Sequence, residues 1–127
     1  MNEDNPIVVK SKAFALRIIK LNDYLVTKKL FTLADQVSRS GTSVGANVRE
    51  ATSAQSRSDF LAKMYIAFKE AVETEYWLEL LHESGKIESS HFESIVADCR
   101  ELVRMLSSIT KSTKDGTQKR LPDNVNA

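Results

Sequence analysis

Few side chains in this sequence could carry metal or general acid–base chemistry. Its two histidines, His82 and His91, lie at the end of one predicted helix and at the start of the next. Residues 79–82 match once the Glu-x-x-His pattern that di-iron bundles use on two helices, and no second copy is present. We therefore predict no metal site and no cofactor.

Nucleophilic and carboxylate chemistry finds no better support. Cys99, the only cysteine, follows helical apolar spacing with no basic partner, which predicts a small core residue. Glu75 falls in the apolar arc of its helix, so we expect a hydrogen-bonded acid there rather than an acid–base pair with Glu73. Its expected partner is a polar group such as Asn47, Arg39 or Ser43. The sequence also lacks phosphate-binding and serine-nucleophile motifs, so it predicts no enzyme and no small-molecule substrate.

Basic side chains form a stripe on the first predicted helix. Lys10, Arg17 and Lys28 share one angular position. Such a stripe is either a solvated face or a surface that contacts phosphates. The candidate nucleic-acid-binding residues, with the neighbours that would extend the stripe, are Lys10, Lys12, Arg17, Lys20, Lys28 and Arg39.

Helical spacing of apolar residues accounts for nearly the whole chain up to residue 112. The predicted helices cover about residues 6–28, 32–53, 56–84 and 89–112. Joined by short connections, they predict an all-α fold, an antiparallel up-down-up-down four-helix bundle over residues 1–112. Residues 113–127 are polar and contain Gly116 and Pro122, so we expect a disordered tail.

Two predicted helices offer more packing surface than such a bundle requires. Helix one has a second apolar stripe beside its main one, formed by Val8, Ala15, Ile19 and Val26. Helix two contains Gly41 and Gly45 in its interior, and each glycine costs about 1 kcal/mol relative to Ala. These glycines indicate a kink or a close backbone approach to a neighbour. The surplus surface favours self-association.

The charge is close to neutral overall but unevenly distributed. The 127 residues contain 18 Lys and Arg against 17 Asp and Glu, a net charge of +1, which argues against a uniformly basic nucleic-acid-binding surface. Residues 1–30 carry six bases and three acids, whereas residues 57–85 carry three bases and six acids. These segments would suit a head-to-tail contact between copies.

The composition also indicates the cellular compartment in which the protein is found. A single cysteine cannot form an internal disulfide, which favours a reducing environment. The start of the chain is acidic, unlike a signal peptide, and no apolar run approaches the roughly 20 residues of a membrane span. We expect a cytoplasmic protein with no membrane partner.

The block from residue 39 to residue 81 resembles a known family. Residues 39–47 resemble its R-S-x-x-S-[IV]-[GP]-A-N motif, residues 59–63 its D-F-x-x-K helix entry, and residues 70–78 its E-A-x-E-T-x-Y-W-L core. This is the four-helix-bundle family first described as proteins encoded in intervening sequences of bacterial 23S ribosomal RNA genes. The matched motif residues, expected to be structural, include Ser40, Ser43, Asn47, Glu73 and Glu75.

The resemblance implies a non-enzymatic bundle that assembles into a ring-like homopentamer. Relatives include the accessory protein of diversity-generating retroelements, which looks like a partner of nucleic acid and reverse transcriptase. Those relatives are strongly basic, and this chain departs from them in being neutral overall.

Two functions are open on this reading. The first is a homo-oligomeric scaffold that associates with RNA or a ribonucleoprotein through the basic stripe of helix one. The alternative is a protein–protein adaptor that binds no nucleic acid and uses its charged faces for self-assembly or partner capture. Salt-dependent binding to RNA would distinguish them.

Overall fold

The fold consists of four helices, as the sequence predicts. The computed structural model describes residues 2–118, with side chains described up to residue 111. The helices are α1 (Pro6–Thr27), α2 (Phe31–Ala51), α3 (Arg57–Glu83) and α4 (Ser89–Gln118). No strand occurs within residues 2–118. Helix α2 packs extensively on both α1 and α3, α3 packs on α4, and α4 makes a smaller contact with α1.

Local signals in the sequence account for the helix ends. Pro6 occupies the first position of α1, and the Asn5 side chain accepts a hydrogen bond from the Ile7 N–H at 3.2 Å. Ser56 caps α3 by accepting from the Asp59 N–H at 3.0 Å. Gly85 follows α3 with φ of 73°, a left-handed conformation that suits glycine at a helix end.

Helix α4 is longer than expected. It ends at Gln118, not near residue 112, because one poorly favoured residue such as Gly116 costs only about 1 kcal/mol and does not by itself end a helix. The rest of the predicted tail, residues 119–127, lies outside the described residues.

The core lies along the facing stripes of all four helices. Phe14, Ile18, Leu21 and Leu25 of α1 are buried, which confirms the main stripe. The α4 seam is also buried, at Ile95, Cys99, Leu102 and Leu106. Within the second α1 stripe, Val8 is buried whereas Ile19 and Val26 remain 50% and 42% exposed. The bundle therefore leaves part of the α1 apolar arc uncovered.

The interior glycines of α2 bring its backbone close to α1. A Cβ at Gly45 would lie 3.1 Å from the Ser11 carbonyl oxygen. A Cβ at Gly41 would lie 2.7 Å from Cγ1 of Ile18, which is fully buried. Both positions therefore require a residue without a side chain. The predicted close approach of α2 to a neighbouring helix is confirmed.

Gly41→Ala is expected to destabilise the fold, although Ala is the better helix former by about 1 kcal/mol. Its Cβ would overlap Ile18, and overpacking of a closed core costs about 1–3 kcal/mol. Urea denaturation followed by circular dichroism measures the change in the free energy of unfolding. In the matched double variant, Ile18→Val removes a methyl group at the contact, so the combined loss should be smaller than the sum. Strictly additive losses would contradict the overlap.

Candidate interaction surfaces

The motif residues of α2 and α3 join these helices through hydrogen bonds and ion pairs. The Arg39 guanidinium donates to the carboxylates of Glu73 and, at 3.3 Å, of Glu70. The Trp77 indole N–H also donates to Glu73, at 2.9 Å. One carboxylate therefore holds both a cation from α2 and the tryptophan of its own helix.

A second, fully buried contact lies beside this one. The hydroxyl oxygens of Ser40 and Thr74 are 2.8 Å apart, and both residues are fully buried. The Thr74 oxygen also lies 2.7 Å from the Glu70 carbonyl. A Thr74 hydroxyl that donates to that carbonyl can accept from Ser40, so both buried groups are satisfied. The position of Ser40 in the motif thus serves packing.

Two other motif residues interact within α2. The Asn47 side-chain amide donates to the Ser43 carbonyl at 2.9 Å and lies 3.0 Å from the Ser43 hydroxyl. This pair leaves Ser43 and Asn47 with local partners and places neither of them against Glu75.

Glu75 is a hydrogen-bonded, half-buried acid, as expected, but its partner is none of the three residues named from the sequence. Its carboxylate accepts a hydrogen bond from the Arg100 guanidinium at 2.9 Å, so the cation comes from α4 and not from α2. The same guanidinium lies 3.4 Å from Glu79. These acids raise the pKa of Arg100, chiefly through the hydrogen bond to Glu75. The error arose because Glu75 lies on the side of α3 that faces α4, which the apolar arc alone did not distinguish.

Three of the six predicted nucleic-acid-binding residues form ion pairs within the chain. Lys10 lies 2.7 Å from Glu101, and Arg17 lies 2.7 Å from Asp98 and also donates to Ser94. Arg39 is held by α3, as described above. Both α1 pairs connect that helix to α4. The acidic partners on α4 were missed, because counting charge by segments does not show which helices are neighbours.

The other three candidates do not cluster in one site. Lys12, Lys20 and Lys28 are exposed, and no ion pair involves them within the described side chains. The Lys28 ammonium lies 5.6 Å from the centre of the Tyr24 ring, a cation–π contact. The remaining cations could still contact phosphates from separate parts of the α1 surface.

Large apolar side chains are exposed on the outer sides of two helices. On α1 they are Val9, Leu16, Ile19 and Val26, which we call the α1 outer face. On α3 they are Tyr65, Val72 and Tyr76, the α3 outer face. Leu16 is 56% exposed and Tyr76 is 53% exposed. Clustered exposure of large apolar side chains is typical of surfaces that contact another molecule.

The candidates for chemistry lie apart from these faces. The Cys99 thiol is buried and donates to the Ala71 carbonyl at 3.3 Å. Burial raises the pKa of Cys99 to about 12, with a smaller contribution from the negative charge of Glu75. His82 stacks on Phe92 with ring centres 4.2 Å apart. Among the described residues, no group of three His, Cys, Asp or Glu side chains could hold a metal ion.

None of the helices in the described part of the chain combines the length and apolar character needed to cross a bilayer.

The comparison with known proteins agrees with the motif resemblance. A family model described as 23S rRNA-intervening sequence protein matches residues 3–108. A protein of unknown function from the S23 ribosomal protein family of Bacteroides thetaiotaomicron VPI-5482 has a similar crystal structure, with a TM-score of 0.80 and 50% sequence identity. That match covers 83% of this chain and 98% of the other. No curated protein matches the chain.

The raised pKa of Cys99 predicts a pH dependence of stability. The thiol of the unfolded chain ionises from about pH 9, whereas the buried thiol stays protonated up to about pH 12. Ionisation therefore favours the unfolded state, and the stabilisation present below pH 9 is lost as the pH rises towards 12. Urea unfolding at several pH values should show a steeper loss in the wild type than in Cys99→Ala. Parallel profiles would contradict this prediction.

Proposed function

The chain belongs to the family of 23S rRNA-intervening sequence proteins, and on this premise we propose that it is a non-enzymatic, homo-oligomeric scaffold of the cytoplasm. Copies bind one another through the two outer faces. The assembly is a ring, with five subunits as the family resemblance implies. The observation that carries this proposal is the exposure of large apolar side chains on both α1 and α3.

We infer an antiparallel up-down-up-down arrangement of the four helices from the order of their contacts. Across α2 and α3, Glu50 pairs with Lys63 near one end and Arg39 with Glu73 further along. Across α1 and α4, Lys10 pairs with Glu101 whereas Arg17 pairs with Asp98. In both cases the residue number rises on one helix as it falls on the other, which supports opposite directions.

The ion pairs within the chain favour apolar faces over charged ones for assembly. Lys10, Arg17 and Arg39 already have carboxylate partners, and so does Arg100. Breaking these pairs to form new ones between subunits would bring little net gain, since exposed ion pairs contribute at most about 1 kcal/mol. Burial of apolar surface has no such competitor within the chain.

Replacing Ile19 by Asp is expected to dissociate the oligomer, because the substitution places a charge in the centre of the α1 outer face. Native mass spectrometry should then record 14.2 kDa, the mass of one chain, in place of a multiple of it. Ser108→Asp adds the same charge at an exposed position of α4 and should leave the assembly intact. A native mass of 14.2 kDa for the wild-type protein, which is that of a monomer, would overturn the proposal.

Association with RNA is a second candidate function, favoured by the family and by exposed cations. Lys20 and Lys28 are both exposed on α1 and make no ion pair within the described side chains. Lys28 lies at least about 100° around α1 from each residue of the α1 outer face, so RNA could bind there while that face is covered, whereas Lys20 lies at the border of the face, one turn after Leu16. Such binding would depend mainly on phosphate contacts.

Fluorescence anisotropy with a structured RNA, at low and at physiological salt, tests the RNA interaction. We expect affinity to fall as salt rises, and the variant Lys20→Glu/Lys28→Glu to bind more weakly and with a smaller salt dependence. The variant Arg57→Glu/Lys86→Glu changes the charge equally at exposed positions off α1 and is the control. Absence of binding at low salt would eliminate this function and leave the scaffold that assembles without nucleic acid.

A further inference from the structure

We propose that the cavity between the end of α1 and the start of α4 binds one unpaired guanine base of a single-stranded RNA. Tyr24 stacks on the base, Glu88 accepts hydrogen bonds from the edge of the base, and Lys20 and Lys28 contact the phosphates on either side. The inference rests on the RNA association proposed above and specifies its site.

The contact between α1 and α4 brings the side chains of this cavity together. Arg17 of α1 pairs with Asp98 of α4. Two turns further along α1, Tyr24 comes level with the start of α4. The residues that line the cavity between them are Tyr24, Ile87, Glu88 and His91.

The cavity has the size and the lining of a site for one planar ring system. Its volume is about 250 Å³, below the roughly 300 Å³ at which pockets for drug-sized ligands begin. Tyr24 is 40% exposed, and the buried Ile87 offers apolar contact. The partly buried His91 adds a second ring. Unpaired bases of RNA stack on aromatic side chains of this kind.

Two lysines flank the tyrosine along α1. Lys20 and Lys28 lie four residues before and four residues after Tyr24, so all three share one side of the helix. The two lysines are separated by about 12 Å along the helix axis, and the Lys28 ammonium lies 5.6 Å from the centre of the Tyr24 ring. Neither lysine forms an ion pair within the described side chains. An aromatic ring between cations is the combination that binds a base together with its backbone phosphates.

Glu88 determines which part of the strand enters the cavity. Its side chain is exposed and forms no ion pair within the part of the chain whose side chains are described. A carboxylate repels a phosphate, so the phosphates stay at the lysines and a base occupies the cavity. An ionised carboxylate only accepts hydrogen bonds, so Glu88 favours a base whose edge donates.

Guanine is the base whose edge matches a carboxylate. Its Watson–Crick edge presents the N1–H and N2–H donors side by side, and the two carboxylate oxygens can accept both. Adenine and cytosine present an amino donor next to an acceptor nitrogen, and uracil presents one imino donor between two carbonyl oxygens. An acceptor placed against Glu88 is repelled, which selects against these three bases.

The competing arrangement uses the lysines alone. Lys20 and Lys28 would then hold any strand by its phosphates. The affinity would depend neither on the identity of the base nor on the ring of Tyr24, and this difference separates the two arrangements experimentally.

Fluorescence anisotropy at low salt with two labelled RNA octamers tests the base contact. One strand is oligouridylate, and the other is the same strand with one central guanosine. We expect the wild type to bind the guanosine strand about tenfold more tightly. Glu88→Gln should remove this preference, because an amide oxygen can accept from only one of the two donors, while oligouridylate still binds. Glu93→Gln removes the same charge at an exposed position of α4 outside the cavity and should keep the preference.

Replacement of the tyrosine tests the stacking contact with the same strands. Tyr24→Ala should weaken binding of the guanosine strand by about tenfold, whereas Tyr24→Phe keeps the ring and should keep the affinity. Phe31→Ala is the control, because it removes an exposed aromatic ring that does not line the cavity. Circular dichroism verifies that each variant is helical.

The possible failures are distinguishable. Equal affinity of the wild type for the two strands, or an unchanged preference in Glu88→Gln, would overturn the guanine site and leave the phosphate contacts standing. Binding of Tyr24→Ala as tight as that of Phe31→Ala would overturn the stacking contact. Absence of binding of both strands at low salt would overturn the RNA association itself.

Discussion

The close approach of α2 to α1 is the constraint on which the rest of the structure depends. It exists because Gly41 and Gly45 place no side chain between the two backbones. On its opposite side α2 uses Ser40 and Arg39 to hold α3. A single motif of nine residues thus serves two interfaces, with small residues towards one helix and hydrogen-bonding residues towards the other. The resemblance that identifies the family is therefore, in this chain, a set of packing requirements.

Charge in this fold is used mainly to join neighbouring helices. Two bases of α1, Lys10 and Arg17, are paired with acids of α4, and four acids of α3 are paired with Arg39 or Arg100. The opposite charges of the two chain segments thus find partners inside the subunit, on helices that segment counting had left out. This leaves outer faces with large exposed apolar side chains, Leu16 and Ile19 on α1 and Tyr76 on α3 among them.

Much of the fold could be predicted because each helix carries its own signal. Pro6, Ser56 and Gly85 mark helix ends by local chemistry, and apolar spacing identifies the core stripes. The partners of Glu75, Lys10 and Arg17 could not be predicted, since they depend on which helices are neighbours and how each is rotated. Even the surplus stripe on α1 was visible in the sequence, but only the structure separates buried Val8 from exposed Ile19.

The hydrogen bond between Trp77 and Glu73 affects the fluorescence of the protein. The chain contains one tryptophan, Trp77, and its indole N–H is bonded to the carboxylate that also binds Arg39 of α2. Indole fluorescence responds to a nearby charge and to exclusion from water. Under excitation that is selective for indole, the emission therefore comes from the junction of α2 and α3. The protein thus contains a natural optical probe that separates the docking of these two helices from helix formation elsewhere.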